Sequence, residues 1–146
     1  MSDFMQAALE EAQAAAARGE VPIGAVVVCE GEIIARAGNR TLELSDPTAH
    51  AEMLAIRDAC ALLGSQRLPQ CDLYVTLEPC PMCAAAISFA RMRRLYFGAE
   101  DPKGGAVENG VRFFGDPTCH HAPDVYSGLA EQQSAKLLRE FFQSRR

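Results

Sequence analysis

The chain has 146 residues, 49% of them apolar and 23% charged, which excludes disorder, collagen or coiled coil as the main architecture. That length fits one domain on the usual scale of about 100–200 residues, enough to bury a core without staples. The formal charge of −5 is not the basic footprint that advertises nucleic-acid binding by a whole domain.

The predicted elements begin with a helix over residues 3–17, where Phe4, Leu9, Ala12 and Ala16 recur at helical intervals before Arg18-Gly19. Ile23 to Cys29, with three consecutive valines, and Ile33 to Ala35 read as two strands of a hairpin across Glu30-Gly31. Residues 39–48 are rich in Asn, Ser, Asp, Pro and Thr and read as a loop. Asp46-Pro47-Thr48 is expected to open the second helix, with an apolar stripe through Met53, Leu54, Ile56, Ala59, Cys60 and Leu63 and a stop at Gly64. Leu73 to Leu77 is a strand, and Glu78-Pro79-Cys80-Pro81 a sharp turn. The helix that follows, to about Arg91, is so apolar that it is expected to be buried, Phe89 included. Leu95 to Phe97 is another strand, Asp124 to Tyr126 a short last one, and Ala130 to Phe142 an amphipathic helix. Residues 99–123 give no clear pattern. Strands alternating with helices imply a mixed sheet covered on both faces.

Met1-Ser2-Asp3-Phe4-Met5 lacks the basic and apolar regions of a secretory signal. No run approaches the roughly 18 apolar residues of a membrane span. A cytoplasmic location is therefore expected, where close cysteine pairs serve metals or redox chemistry more often than structural bridges. Of six cysteines only Cys80 and Cys83 are close neighbours; Cys29, Cys60, Cys71 and Cys119 read as small buried hydrophobes.

His50-Ala51-Glu52 and Pro79-Cys80-Pro81-Met82-Cys83 each stand at an expected helix start directly after a loop. Zinc takes Cys sulfur and His nitrogen in a tetrahedron, and two cysteines three apart reach one ion from a helix's first turn. The unpaired N–H groups there favour thiolates. His50, Cys80 and Cys83 make three ligands, the number of a catalytic site that keeps a position for water. His120 or His121 could in principle add a fourth. Glu52, two residues from the candidate ligand His50, is placed to move the protons of a water. Without a His-x-Glu partner the cysteine pair alone would suit a redox protein.

His50-x-Glu52 followed by Pro79-Cys80-x-x-Cys83 resembles the signature of the zinc-dependent deaminases of the cytidine/deoxycytidylate deaminase superfamily. Val21-Pro22-Ile23-Gly24-Ala25-Val26, Gly38-Asn39-Arg40, Asp46 to Glu52, Leu73 to Cys80, Phe97-Gly98-Ala99 and the C-terminal Leu137-Leu138, Phe141-Phe142 and Arg145-Arg146 look like its bacterial tRNA adenosine deaminases. The match runs from about residue 4 to 146; residues 107–123 are less similar. The resemblance implies a single domain over residues 1–146. Its fold would be a cytidine-deaminase-like three-layer α/β/α sandwich with a five-stranded mixed sheet. It implies one zinc ion per chain on His50, Cys80 and Cys83, with Glu52 as proton shuttle. The implied reaction is hydrolysis of the wobble adenosine of a tRNA anticodon loop to inosine, releasing ammonia. Asn39 would bond the substrate nucleotide, Ile23 would pack on the base, and Asp101 and Lys103 would hold ribose and backbone. A homodimer is implied, with RNA touching both subunits.

Residues 136–146 carry Lys136, Arg139, Arg145 and Arg146 against Glu140. Such a local patch binds phosphate even on an acidic protein. Phe142, Arg145 and Arg146 are therefore candidate RNA contacts. Two alternatives stay open: a deaminase of free guanine or cytosine with the same zinc chemistry, and a non-catalytic zinc-stabilised RNA-binding protein. The first has no use for a basic tail, and the second has none for Glu52.

Overall fold

The computed structural model describes residues 2–145. The elements in chain order are α1 (Ser2–Ala17), β1 (Gly24–Cys29), β2 (Glu32–Gly38), α2 (Ala51–Leu63), β3 (Cys71–Leu77), α3 (Pro81–Phe89), β4 (Arg94–Ala99), a 3-10 turn (Phe113–Gly115), β5 (Asp124–Tyr126) and α4 (Glu131–Gln143). The strands form one mixed sheet in the order β2-β1-β3-β4-β5. β1 runs antiparallel to β2 and β3, while β3, β4 and β5 are parallel. This is the five-stranded α/β/α sandwich that the motif resemblance implied.

The sheet's two faces explain why the strand sequences do not alternate in polarity. Ala25 and Val27 of β1, Leu73 and Val75 of β3, and Leu95 and Phe97 of β4 pack with α2 and α3. Val26, Val28 and Tyr74 pack on the other face with Met5, Ala7 and Ala8 of α1. A strand covered on both sides is apolar at every position, and the triple valine is its trace. Helix α1 comes very close to the hairpin. A Cβ on Gly24 would sit 2.5 Å from the Ala12 backbone nitrogen, and one on Gly38 2.7 Å from the Glu11 carbonyl oxygen. These two glycines are register partners across β1 and β2, so the helix lies where the sheet has no side chains.

Three expectations are corrected. Helix α2 starts at Ala51, not at residues 46–48. Asp46 Oδ1 instead accepts hydrogen bonds from Thr48 N at 2.8 Å and Thr48 Oγ1 at 2.7 Å. The residue types that cap helices also close such turns, and here the turn wins. Phe89 is not buried: it ends α3 with 73% of its surface exposed. Among the four remaining cysteines only Cys71 is buried; Cys29, Cys60 and Cys119 are half-buried. No described helix is long and apolar enough to cross a membrane.

Candidate active site

Two helix N-termini converge at the carboxyl-terminal edge of β3. His50 is the N-cap of α2 (φ −71°, ψ 153°) and Cys80 the N-cap of α3 (φ −74°, ψ 174°), and neither side chain caps its own helix. Both side chains are thus available to each other. Pro81 at the first helical position of α3 has no N–H to lose there, and Cys83 follows one turn inside. His50 Nδ1 lies 3.6 Å from Cys80 Sγ and 3.6 Å from Cys83 Sγ. All three donor atoms lie within 4.8 Å of one another.

The protonation of this group follows from its crowding. The Cys83 contact holds the Cys80 thiol down to about 4, and His50 helps. The same contact, with burial, raises Cys83. Hydrogen bonding to Cys80 raises His50. A thiolate on Cys80, with the proton held more firmly by His50 and Cys83, is thus favoured, as expected for a cysteine at a helix N-terminus. Glu52, in the first turn of α2, is 4% exposed. Burial pushes its carboxyl up to about 7, and its Oε1 has no hydrogen-bond partner. A buried carboxyl oxygen without a partner is costly, so it marks an atom that serves something other than the fold.

The donor set fits zinc. Bond lengths of about 2.3 Å to sulfur and 2.05 Å to nitrogen, at tetrahedral angles, separate such donors by about 3.6 Å. Both His–Cys separations have that value. Among the described residues this is the sole cluster of three or more metal-binding side chains at such range. His120 and His121 do not join it: His121 Nε2 donates to the Met92 carbonyl at 2.8 Å, and the His120 carbonyl accepts from Arg91, both beyond the far end of α3.

The residues expected to meet the substrate fall into two groups. Asn39 N donates to the Ile23 carbonyl at 3.0 Å, and Arg40 N to the Ala49 carbonyl at 3.0 Å, so Ile23 and Asn39 come together beside the residue preceding His50. Asn39 is buried. Glu20, which nothing in the sequence singled out, sits beneath this loop. Its carboxylate accepts from Leu42 N at 3.2 Å, Glu43 N at 2.8 Å and Asn39 Nδ2 at 3.5 Å. Asp101 and Lys103 stand on the loop after β4, with Asp101 Oδ1 closing the turn through Lys103 N and Gly104 N. A second buried carboxylate, Glu78, lies under that loop and was likewise missed. In the tail, Phe142 is 51% exposed, and the Arg145 guanidinium stacks 4.0 Å over the Phe141 ring. Arg146 lies outside the described residues.

Residues 1–99 match the family model of the cytidine and deoxycytidylate deaminase zinc-binding region. Over 143 residues the chain is 71% identical to a tRNA-specific adenosine deaminase of Agrobacterium fabrum (strain C58), covering 98% of this chain and 94% of that one. A solved structure from biochemical and structural studies of A-to-I editing by tRNA:A34 deaminases at the wobble position matches with a TM-score of 0.93 and 70% identity, over 94% of this chain and all of the other. A guanine deaminase from Bacillus subtilis is more distant: 38% identity and a TM-score of 0.67, over 85% of this chain and 82% of that chain.

Proposed function

The chain belongs to the cytidine and deoxycytidylate deaminase family, within its tRNA-specific adenosine deaminase branch, and on that premise we propose that it converts the wobble adenosine of a tRNA anticodon loop to inosine. It is a zinc-dependent hydrolase: water adds at C6 of the adenine and ammonia leaves. The observation that carries a catalytic over a purely structural zinc site is Glu52, buried and with Oε1 unpartnered, beside a three-donor set.

His50, Cys80 and Cys83 hold the ion in this reading. Bound zinc supplies Lewis acidity that brings the ionisation of a water near neutral pH. Glu52 Oε1 takes a proton from the attacking water and delivers it to the ring nitrogen beside C6; it then passes the remaining hydroxyl proton to the amine, so that the C6–N bond breaks, the C6 carbonyl forms and ammonia leaves. Burial, which raises this carboxyl above its usual range, brings it closer to the neutral pH at which a group both accepts and returns a proton. Asn39 bonds the nucleotide, Ile23 covers the flipped base, and Asp101 and Lys103 hold the ribose and backbone. Phe142, Arg145 and Arg146 extend the contact along the RNA, supported by the exposure of Phe142 and the basic charge of the tail. The single sheet spanning the chain supports one domain, and a tRNA substrate supports a cytoplasmic location.

The substrate is tested by ranking. An anticodon stem-loop with a wobble adenosine is expected to show a kcat/KM at least about 100-fold above free guanine or cytosine, because remote contacts are spent on the reacting base. The opposite order would place the chain with the small-molecule deaminases.

A homodimer is the expected working form. The face shared by α2 and α3 supports it: Ile56, Cys60, Ala86, Phe89 and Ala90 line one apolar depression, with Phe89 largely exposed at its rim. Exposed aromatics of this kind anchor interfaces. Phe89→Asp is expected to convert the dimer to a monomer in analytical ultracentrifugation and to lower kcat/KM on the stem-loop at least about tenfold. A dimer that survives the substitution would locate the interface elsewhere.

A further inference from the structure

Glu78 directly follows β3, at the start of the segment that leads into the Cys80 turn, and it is 2% exposed. Its two oxygens accept five hydrogen bonds, all from one stretch of chain. Oε1 accepts from Asp101 N at 2.9 Å and Asn109 Nδ2 at 2.7 Å. Oε2 accepts from the backbone N–H groups of Val107, Glu108 and Asn109 at 3.0, 2.8 and 3.0 Å. Three successive N–H groups aimed at one oxygen form an anion nest, and here the anion is part of the chain. Neighbouring bonds reinforce the attachment: Ala106 N donates to the Pro79 carbonyl at 2.9 Å, and Glu78 N to the Ala99 carbonyl at 2.9 Å. Gly105 presses against the same carboxylate, since a Cβ there would lie 2.6 Å from Glu78 Oε2.

The loop over residues 101–109 is therefore wound around a carboxylate fixed two residues before Cys80. Buried Ala106 and Val107 and the turn closed by Asp101 add to its hold, but the carboxylate takes more of its hydrogen bonds than any other single group. Pro102, Lys103, Gly104 and Glu108 are exposed, and Val107 alone of these residues belongs to the main core cluster. Without the carboxylate, its backbone donors would lose their partners at once, at the cost of desolvated N–H groups.

We infer that Glu78 is a positioning residue for the RNA substrate: it fixes Asp101 and Lys103 at a set place relative to the Cys80 turn and so governs affinity for the anticodon loop. The inference rests on the proposed tRNA reading and deepens it. Glu78 touches neither the base nor the reacting atoms; it acts through the loop.

Glu78→Gln tests this in the full chain. The amide keeps the shape, but turns one acceptor into a donor that faces N–H groups. With a wobble-adenosine stem-loop, KM is expected to rise about 10- to 100-fold while kcat changes less than about threefold, the pattern of lost binding that is uniform along the reaction. Zinc should stay at one per chain. Amide hydrogen exchange of residues 107–109 in the RNA-free protein should accelerate. Asn109→Ala keeps the carboxylate and removes one donor, and a KM rise of about threefold is expected. An unchanged KM in folded Glu78→Gln would overturn the inference. So would zinc loss with a fall in kcat at constant KM, which would make Glu78 a support of the metal turn. Should Glu78→Gln not fold, an unchanged KM in Asn109→Ala overturns it. A wild-type chain inactive on the stem-loop but active on guanine would instead overturn the tRNA reading, while the exchange measurement still reports whether Glu78 anchors the loop.

Discussion

Glu52→Gln is expected to lower kcat on the wobble-adenosine stem-loop by about 10²- to 10⁴-fold or more, the range contributed by a positioned acid–base group. Zinc content and thermal unfolding should barely change. The reason lies in what Glu52 does not do. Its Oε1 makes no hydrogen bond, so the amide breaks none at that atom, and the side chain keeps its volume within the buried first turn of α2. Glutamine cannot accept the proton of the attacking water or return it. Single-turnover kinetics with zinc quantified per chain separate the two roles. A variant with one zinc per chain and normal turnover would remove Glu52 from the chemistry. A variant that loses zinc would show Glu52 to be holding the metal site together.

The second large effect is expected from Cys83→Ala. Outer-sphere changes at metal sites commonly cost about 10–100-fold in affinity. Removing a proposed ligand should exceed that and abolish turnover with the metal. Cys83 is wholly buried, and alanine leaves only a small void, so circular dichroism should report a folded chain. Zinc measured after dialysis against a mild chelator gives the readout. Retention at one ion per chain would exclude Cys83 from the ligand set. Cys80→Ala should behave alike, because both sulfurs stand at the same distance from His50 Nδ1.

The ligand cluster was legible because its logic is local. Two short motifs, each at a helix start, announce donor atoms within a turn of one another, and only their meeting required the fold. Glu20 and Glu78 were illegible for the opposite reason. Each is an ordinary-looking acid whose partners stand 19–31 residues further along the chain. Nothing in the sequence says that backbone N–H groups will gather there. Asp46 misled because a capping residue and a turn-closing residue have the same chemistry. The burial expected for Phe89 followed from its apolar helix, whereas the side chain points away from the core, on a face proposed to meet a second copy. The triple valine shows the reverse case: sequence alone gave a strand, and its two covering layers gave the reason for its uniform polarity.

The sheet face that supports α1 also has an optical consequence. The chain contains no tryptophan and three tyrosines. Tyr74 and Tyr96 stack with ring centroids 4.3 Å apart and planes 5° apart, and Tyr96 and Tyr126 stack at 4.9 Å and 19°. The chain's tyrosine chromophores thus form one column across β3, β4 and β5, capped by Phe4 against Tyr74 at 5.4 Å. Near-ultraviolet absorption and emission of this protein report on that column, with no indole signal to mask it. Fraying of the short β5 edge would withdraw Tyr126 from the stack and become visible without a label, while the metal site, served by the opposite face, stays spectroscopically silent.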